Sequence, residues 1–292
     1  MKKVFFYSAA ICAMMAMASC GSKTAAPAEE AAEEASAVPA YTELDLPQFD
    51  LSTLKQDADG YYIIFDGTEE SLKANFRGYG KTEVPERWTV EDGCLTFTGT
   101  GTGEGQAPGG GDLIIAHKFQ NFTLEFDWKV DKGSNSGVLY LAREIQTKND
   151  KGEDQMEPIY ISAPEYQILD NANHPDAQLG ATVGIRQSAS LYDMIVATPQ
   201  NQNPFGEWNT GKIMVYKGTV VHGQNGANVV EYHLWTPQWT ELLQSSKFSQ
   251  EKWPLAFELL NNLGGENHEG FIGFQDHGDR VQYRNIRVKV ME

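Results

Sequence analysis

Nine consecutive residues, Phe122–Val130, alternate without a lapse between apolar and polar side chains. Phe122, Leu124, Phe126, Trp128 and Val130 share one side, and Thr123, Glu125, Asp127 and Lys129 share the other. Strand side chains point to opposite faces with a period of two, so this segment is a half-buried β-strand. A face that apolar must be covered by a second layer. Shorter runs of the same kind recur between Gly, Pro, Asn and Asp: Tyr61–Phe65, Trp88–Val90, Leu95–Thr98, Leu113–Ala116, Val138–Leu141 and Tyr166–Leu169. Ile213–Tyr216, Thr219–His222, Val229–Leu234, Phe271–Phe274 and Val281–Val290 continue the series, with Lys217-Gly218 marking one hairpin turn. No window of helical length sustains a 3.6-residue apolar period, and only Glu69–Ala74 and Ser245–Lys252 have the makings of single turns. The pattern predicts an all-β fold, a sandwich of two packed antiparallel sheets.

The remaining chain is organised around that body. Lys2-Lys3 followed by the apolar run Val4–Ala18 is too short to span a bilayer as a mature helix, so residues 1–19 read as a secretory signal peptide. Ala18-Ser19-Cys20-Gly21 resembles a lipobox, with Cys20 lipidated. Residues 20–55 then form a tether, its first part lacking large apolar side chains except Val38, and residues 56–292 form one domain. The expectation is a lipoprotein held on a membrane of the cell envelope, at its periplasmic face or outer surface. Cys12 leaves with the signal, so Cys94 is the single thiol of the domain and has no disulfide partner. Its place between Gly93 and Leu95 marks it as buried and inert. A net charge of −17 with no basic stripe excludes nucleic acid as a partner.

Polar residues that a sandwich does not need stand out against this frame. Along Glu165–Asp170, Glu165 and Gln167 share a strand face opposite Tyr166 and Ile168. A Glu beside a Gln makes a poor core and a good floor for a polar ligand. Phe271–Phe274 and Val281–Val290 read as a last hairpin whose turn carries Gln275, Asp276, His277 and Gly278. Gln275 and His277 share a face, while Asp276 points away and anchors the turn or Arg284. Asn135, Tyr140 and Arg143 are further candidates for one cleft. Two insertions, Arg143–Pro164 and Ala197–Asn209, are too long for hairpin turns and read as rims or lids. The second ends in Glu207, Trp208 and Asn209, a carboxylate, an indole and an amide suited to sugar rings and hydroxyls. His174 is a candidate ligand of substrate or metal, and Asp170 in the same Asx-rich run is the candidate ligand for a divalent cation such as calcium. The stretch Gly99–Gly111 lacks a Gly-Lys-Ser/Thr ending and reads as an inter-strand loop.

Six short motifs, in order, carry a family resemblance. They are Arg87–Leu95, Asn121–Trp128, Asn135–Tyr140, Glu165–Asn171, Gly206–Asn209, and Gly273–Gly278 with Tyr283–Ile286. Together they resemble the 3-keto-disaccharide hydrolase domain from about Tyr61 to the C-terminus. Cys94 stands where an aliphatic residue is expected, and the segment His222–Gly226 has altered spacing. The resemblance implies a concanavalin A-like jelly roll with a sugar cleft, a carbohydrate substrate, and a sugar 3-dehydrogenase acting upstream. A ketone at C3 acidifies the C2 hydrogen and lets the C1 aglycone depart by elimination, with water then adding at C1. Such chemistry needs a base, an acid and donors for the enolate. Glu165 and His277 are the catalytic pair, in either order, with Gln167, Asn135, Gln275 and Arg143 as donors. A conventional glycosidase pairing Glu165 with Glu207 or Asp170 is one alternative. A carbohydrate-binding protein without catalysis is the other.

Overall fold

The structure, a computed structural model, describes residues 38–100, 106 and 109–292. The expected signal peptide, Cys20 and the first part of the tether lie outside these residues. In chain order the strands begin with β1 (Thr42–Glu43), β2 (Tyr62–Ile63), β3 (Phe76–Gly78), β4 (Trp88–Glu91), β5 (Cys94–Phe97) and β6 (Leu113–Ile115). The long β7 (Phe122–Val130) follows, then β8 (Asn135–Ala142), β9 (Ile145–Lys148), β10 (Asp154–Met156) and β11 (Glu165–Leu169). The last five are β12 (Asn209–Tyr216), β13 (Thr219–Gln224), β14 (Ala227–His233), β15 (Phe271–Phe274) and β16 (Val281–Val290). Three α-helices are interspersed among the described residues: α1 (Glu69–Asn75), α2 (Pro237–Gln244) and α3 (Pro254–Asn261).

Two antiparallel sheets stack as a concanavalin-like jelly-roll sandwich. One runs β14-β13-β12-β7-β16-β5-β4 with β2 added on β16, and the other runs β11-β8-β15-β6-β3. The interior is where the apolar face of β7 meets the inner faces of β11 and β15. The Phe126 ring stands edge-on to Tyr166 at 5.6 Å, and Phe274 meets Tyr283 at 4.9 Å. A smaller sheet runs β1-β9-β10, and Met156 of β10 packs against residues of the five-stranded sheet. Ile114, Leu139, Ile159 and Phe271 form a second apolar cluster at that contact.

Three expectations give way here. Residues 271–290 are not a hairpin: β15 pairs with β6 and β8, whereas β16 lies between β7 and β5 in the other sheet. The stretch 275–280 therefore crosses from one sheet to the other. Part of the expected tether is seated on the domain: β1 pairs with β9, Leu51 is buried, and Tyr41, Phe49 and Leu54 pack on the core. Finally, Ser245–Lys252 is no helical turn but the connection between α2 and α3. The helices start where proline follows a capping position, Thr236-Pro237 and Trp253-Pro254, and the Thr236 hydroxyl accepts from the Trp239 N–H. Trp239 Nε1 donates to the Leu260 carbonyl at 2.9 Å and locks the pair together.

Candidate active site

Strict alternation on three adjacent strands builds the floor of a cleft on the outer face of the five-stranded sheet. On β11, Tyr166 and Ile168 enter the core, so Glu165 and Gln167 face outward. On β8, Ser136, Val138 and Tyr140 point inward, leaving Asn135 and Gly137 outside. The chain beyond β15 keeps this parity, and Gln275 and His277 stand beside them, with the Gln275 N–H donating to the Gly137 carbonyl at 2.9 Å. Gln167 is the register partner of Gly137, which brings the three polar columns together. Glycine at 137 is a steric requirement. A Cβ there would lie 2.2 Å from Glu165 Oε1, because the glutamate side chain crosses directly above it.

The roof comes from segments outside the sheets. Tyr160, Tyr192, Lys247 and Trp253 close a cavity of ≈ 260 Å³ over Asn135, Glu165, Gln167, Gln275 and His277. A neighbouring cavity of ≈ 460 Å³ shares Tyr160, Gln275 and His277 and extends the cleft toward Lys81, Asp112 and Glu157. Tyr160 stands edge-on to Trp253 at 6.0 Å. The turn that carries His277 is pinned from below. The Asp276 carboxylate accepts from the Gly111 N–H at 2.7 Å and the Gly278 N–H at 2.9 Å, while Gly278 takes the left-handed φ of 87°. Arg284 plays no part in that anchor and pairs instead with Asp127 at 3.0 Å.

The electrostatics single out Glu165. It is 9 % exposed and no hydrogen bond from the described residues holds its carboxylate, so burial pushes its pKa up to about 8 against partial relief from Lys247. Three acceptor or ring atoms around it, Asn135 Oδ1, Gln275 Oε1 and His277 Nδ1, are buried without a partner among the described residues. Buried polar atoms are ordinarily paired, so three such atoms on one cavity wall are arranged for a ligand. At the far end, desolvation raises Asp112 to about 7. Among the described residues, no three Asp, Glu, His or Cys side chains converge as a metal site.

Several sequence-derived candidates lie elsewhere. Tyr140 is wholly buried in the sandwich, its hydroxyl donating to His222 Nε2 at 2.7 Å and accepting from Tyr232 at 2.6 Å. His222 donates from Nδ1 to the Ala189 carbonyl, and burial lowers its pKa to about 4, so it is a neutral core residue. Arg143 follows Leu141, whose φ of 55° breaks the alternation of β8. Its guanidinium turns to Glu43, 2.7 Å away, and to the Tyr41 ring. Trp208 lies beside the other sheet, with the Arg284 guanidinium 4.0 Å and the Lys129 ammonium 4.7 Å from its ring centre. Glu207 is exposed, and its backbone N–H donates to the Pro204 carbonyl at 3.1 Å. His174 caps the short helix Pro175–Gln178 through Nδ1. Asp170 accepts from the N–H groups of Gly133 and Ala172 and from the Asn173 amide, which makes it a loop anchor. Cys94 is buried and free, with its thiol pKa raised by desolvation.

Lys247, Tyr160, Tyr192 and Trp253 escaped the sequence reading because they come from irregular segments. Thr236-Pro237 and Trp253-Pro254 would have exposed the two helices, though not Lys247 between them. A cavity of ≈ 950 Å³ lies instead along the eight-stranded sheet. Among its charged residues Arg284 pairs with Asp127 and Arg287 with both Glu125 and Asp57, and Asp66 accepts from the Thr68 N–H and hydroxyl.

Comparison with known proteins agrees with this architecture. Residues 60–289 match the family described as the 3-keto-alpha-glucoside-1,2-lyase-like domain. A 3-keto-disaccharide hydrolase from Bacteroides thetaiotaomicron is 62% identical over 294 residues, covering 100% of both chains. Two crystal structures from Parabacteroides distasonis share the fold. One has a TM-score of 0.62 at 24% identity over 80% of this chain and 95% of its own. The other has a TM-score of 0.50 at 23% identity over 74% and 99%.

Proposed function

The chain belongs to the 3-keto-alpha-glucoside-1,2-lyase-like family, and from that premise we propose that it cleaves glycosides oxidised at C3. The observation that carries this reading is a buried carboxyl, Glu165, raised to about 8 and sharing a polar cavity with His277. A carboxylate of that basicity suits removal of a carbon-bound hydrogen made acidic by a neighbouring ketone. Glu165 takes the proton from C2, the electron pair moves onto the C3 oxygen, and the resulting enolate expels the aglycone from C1. His277 donates the proton that the departing oxygen needs. Water then adds at C1, and Glu165 returns its proton to C2. Asn135, Gln167 and Gln275 hold the sugar hydroxyls and position C2 above Glu165.

The two-carboxylate alternative loses both partners named for it, since Glu207 is exposed and Asp170 is occupied by backbone N–H groups. The deciding experiment compares matched oxidised and unoxidised glucosides. Cleavage is expected only of the 3-keto compound, and equal cleavage of the unoxidised one would end this reading.

Two substitutions test the assignment of roles. His277→Ala lowers kcat by about 10²–10⁴-fold on a 3-keto-disaccharide, whose leaving group needs a proton, and far less on a nitrophenyl 3-keto-glucoside. Equal losses on both substrates would remove His277 from the acid role. Gly137→Ala forces the Glu165 side chain aside, and misplacement of that size lowers kcat about 100-fold with the melting temperature nearly unchanged. Full activity in that variant would show that the observed Glu165 position is not the working one.

A further inference from the structure

Lys247 enters the roof of the cavity from the connection between α2 and α3 and lines the same cavity as Glu165. Its Nζ lies 4.5 Å from the Tyr192 ring centre, 4.9 Å from Phe248 and 5.8 Å from Tyr160. Among the described residues no carboxylate pairs with it and no acceptor takes a hydrogen bond from it. Desolvation lowers its pKa, with the Glu165 charge as the leading opposing influence. Burial therefore displaces both Glu165 and Lys247 toward their neutral forms. An amine desolvated among rings and without a direct carboxylate contact is the arrangement that makes lysine a nucleophile toward carbonyls.

The function proposed above brings a ketone into this cavity. Resting on that reading, we propose that Lys247 condenses with the C3 carbonyl, so that the C2 proton is removed from an iminium rather than from a ketone. The neutral amine attacks C3, forming the N–C bond and placing the carbonyl electron pair on oxygen, which takes up the amine's proton. Glu165, holding the proton received from Lys247, releases the carbinolamine hydroxyl as water and becomes the carboxylate. It then takes the C2 proton, and the C2–H electrons neutralise the iminium as an enamine. The enamine expels the C1 oxygen, which His277 protonates, leaving an unsaturated iminium. Water adds at C1 and returns a proton to His277, C2 regains its proton from Glu165, and a second water hydrolyses the iminium to free Lys247 as the ammonium. One water enters for each released at condensation and one is consumed overall, so the net reaction is hydrolysis.

The experiment uses the whole protein, a 3-keto-glucoside and sodium cyanoborohydride, which reduces iminium ions faster than ketones. The expected result is an intact-mass gain of one reduced sugar, mapped by peptide sequencing to Lys247, with activity lost in step. Lys247→Arg keeps the positive charge but cannot form the iminium, so it falls on the order of 10³-fold in kcat, as far as Lys247→Met. Steady turnover without an adduct at Lys247, or Lys247→Arg within about tenfold of the parent, overturns the covalent role and assigns the charge alone to enolate stabilisation. No turnover of the 3-keto-glucoside by the parent protein overturns the proposed function itself.

Discussion

Glu165→Gln abolishes all but about 10⁻³ of the turnover of a 3-keto-glycoside while leaving the sugar bound. Gln keeps the shape of the side chain above Gly137 and the polar character of the cavity, but it cannot accept a carbon-bound proton. The measurement is kcat beside a Kd for the same substrate. Retained kcat removes Glu165 from the base role, and loss of both quantities assigns it to binding. The same substitution has a thermodynamic signature. Unfolded, this carboxyl titrates near 4.5, and folded it titrates near 8. Between those values the folded protein holds a proton that the unfolded chain has released, so stability is fully present below about pH 4.5 and declines as pH rises through 8. Gln carries no such proton. The variant therefore melts higher than the parent at pH 9 and at nearly the same temperature at pH 4. Catalysis has the opposite slope, since the base works only when deprotonated, and kcat of the parent rises with pH up to about 8.

The second large effect is structural. Arg77 on β3 and Glu144 beyond β8 are 3% and 0% exposed and meet through two bonds, 2.6 and 2.8 Å. Glu144 also accepts from the Gly80 N–H at 2.6 Å, and the guanidinium lies 5.0 Å from the Phe271 ring centre. Glu144→Ala leaves a buried guanidinium without its anion and a backbone N–H without its acceptor, which costs about 3–5 kcal/mol. For a domain of this size the melting temperature drops on the order of 10 °C. The double variant Arg77→Met with Glu144→Leu recovers part of the loss, because no charge is then left unpaired. A Glu144→Ala melt within 2 °C of the parent would show that water reaches this pair, contrary to its burial.

The sandwich was legible because burial on two faces writes itself into the chain as alternation. Phe122–Val130 needed no other information, and Glu165 with Gln167 was visible as polar side chains sharing a face that was not core. Gln275 and His277 were visible for the same reason, although the hairpin assigned to them was not there. Apolar runs separated by a turn look alike whether the second strand returns beside the first or crosses to the facing sheet. Tyr140 and Arg143 failed differently. Tyr140 sits on the core side of β8, which neighbouring Asn135 did not disclose, and Leu141 at φ 55° resets the parity before Arg143. Trp208 and Glu207 lie across the sandwich, a long-range placement that no local pattern encodes. The aromatic roof and Lys247 come from connections whose course is fixed by tertiary packing alone.

The crossing from β15 to β16 has a bearing on when this protein becomes competent. Gln275 and His277 occupy the stretch that joins the two sheets, and β16 is an inner strand between β7 and β5. A partly assembled species with the five-stranded sheet unformed lacks the floor of the cleft, and one with β16 undocked leaves the stretch that carries His277 anchored at one end only, so catalytic activity reports completed assembly rather than local order. Most contacts of β16 reach back to residues 62–130, pairings that close late because long loops must be ordered first. Recovery of activity during refolding should therefore trail the recovery of strand signal, and their separation in time is a direct clock for the docking of the final strand.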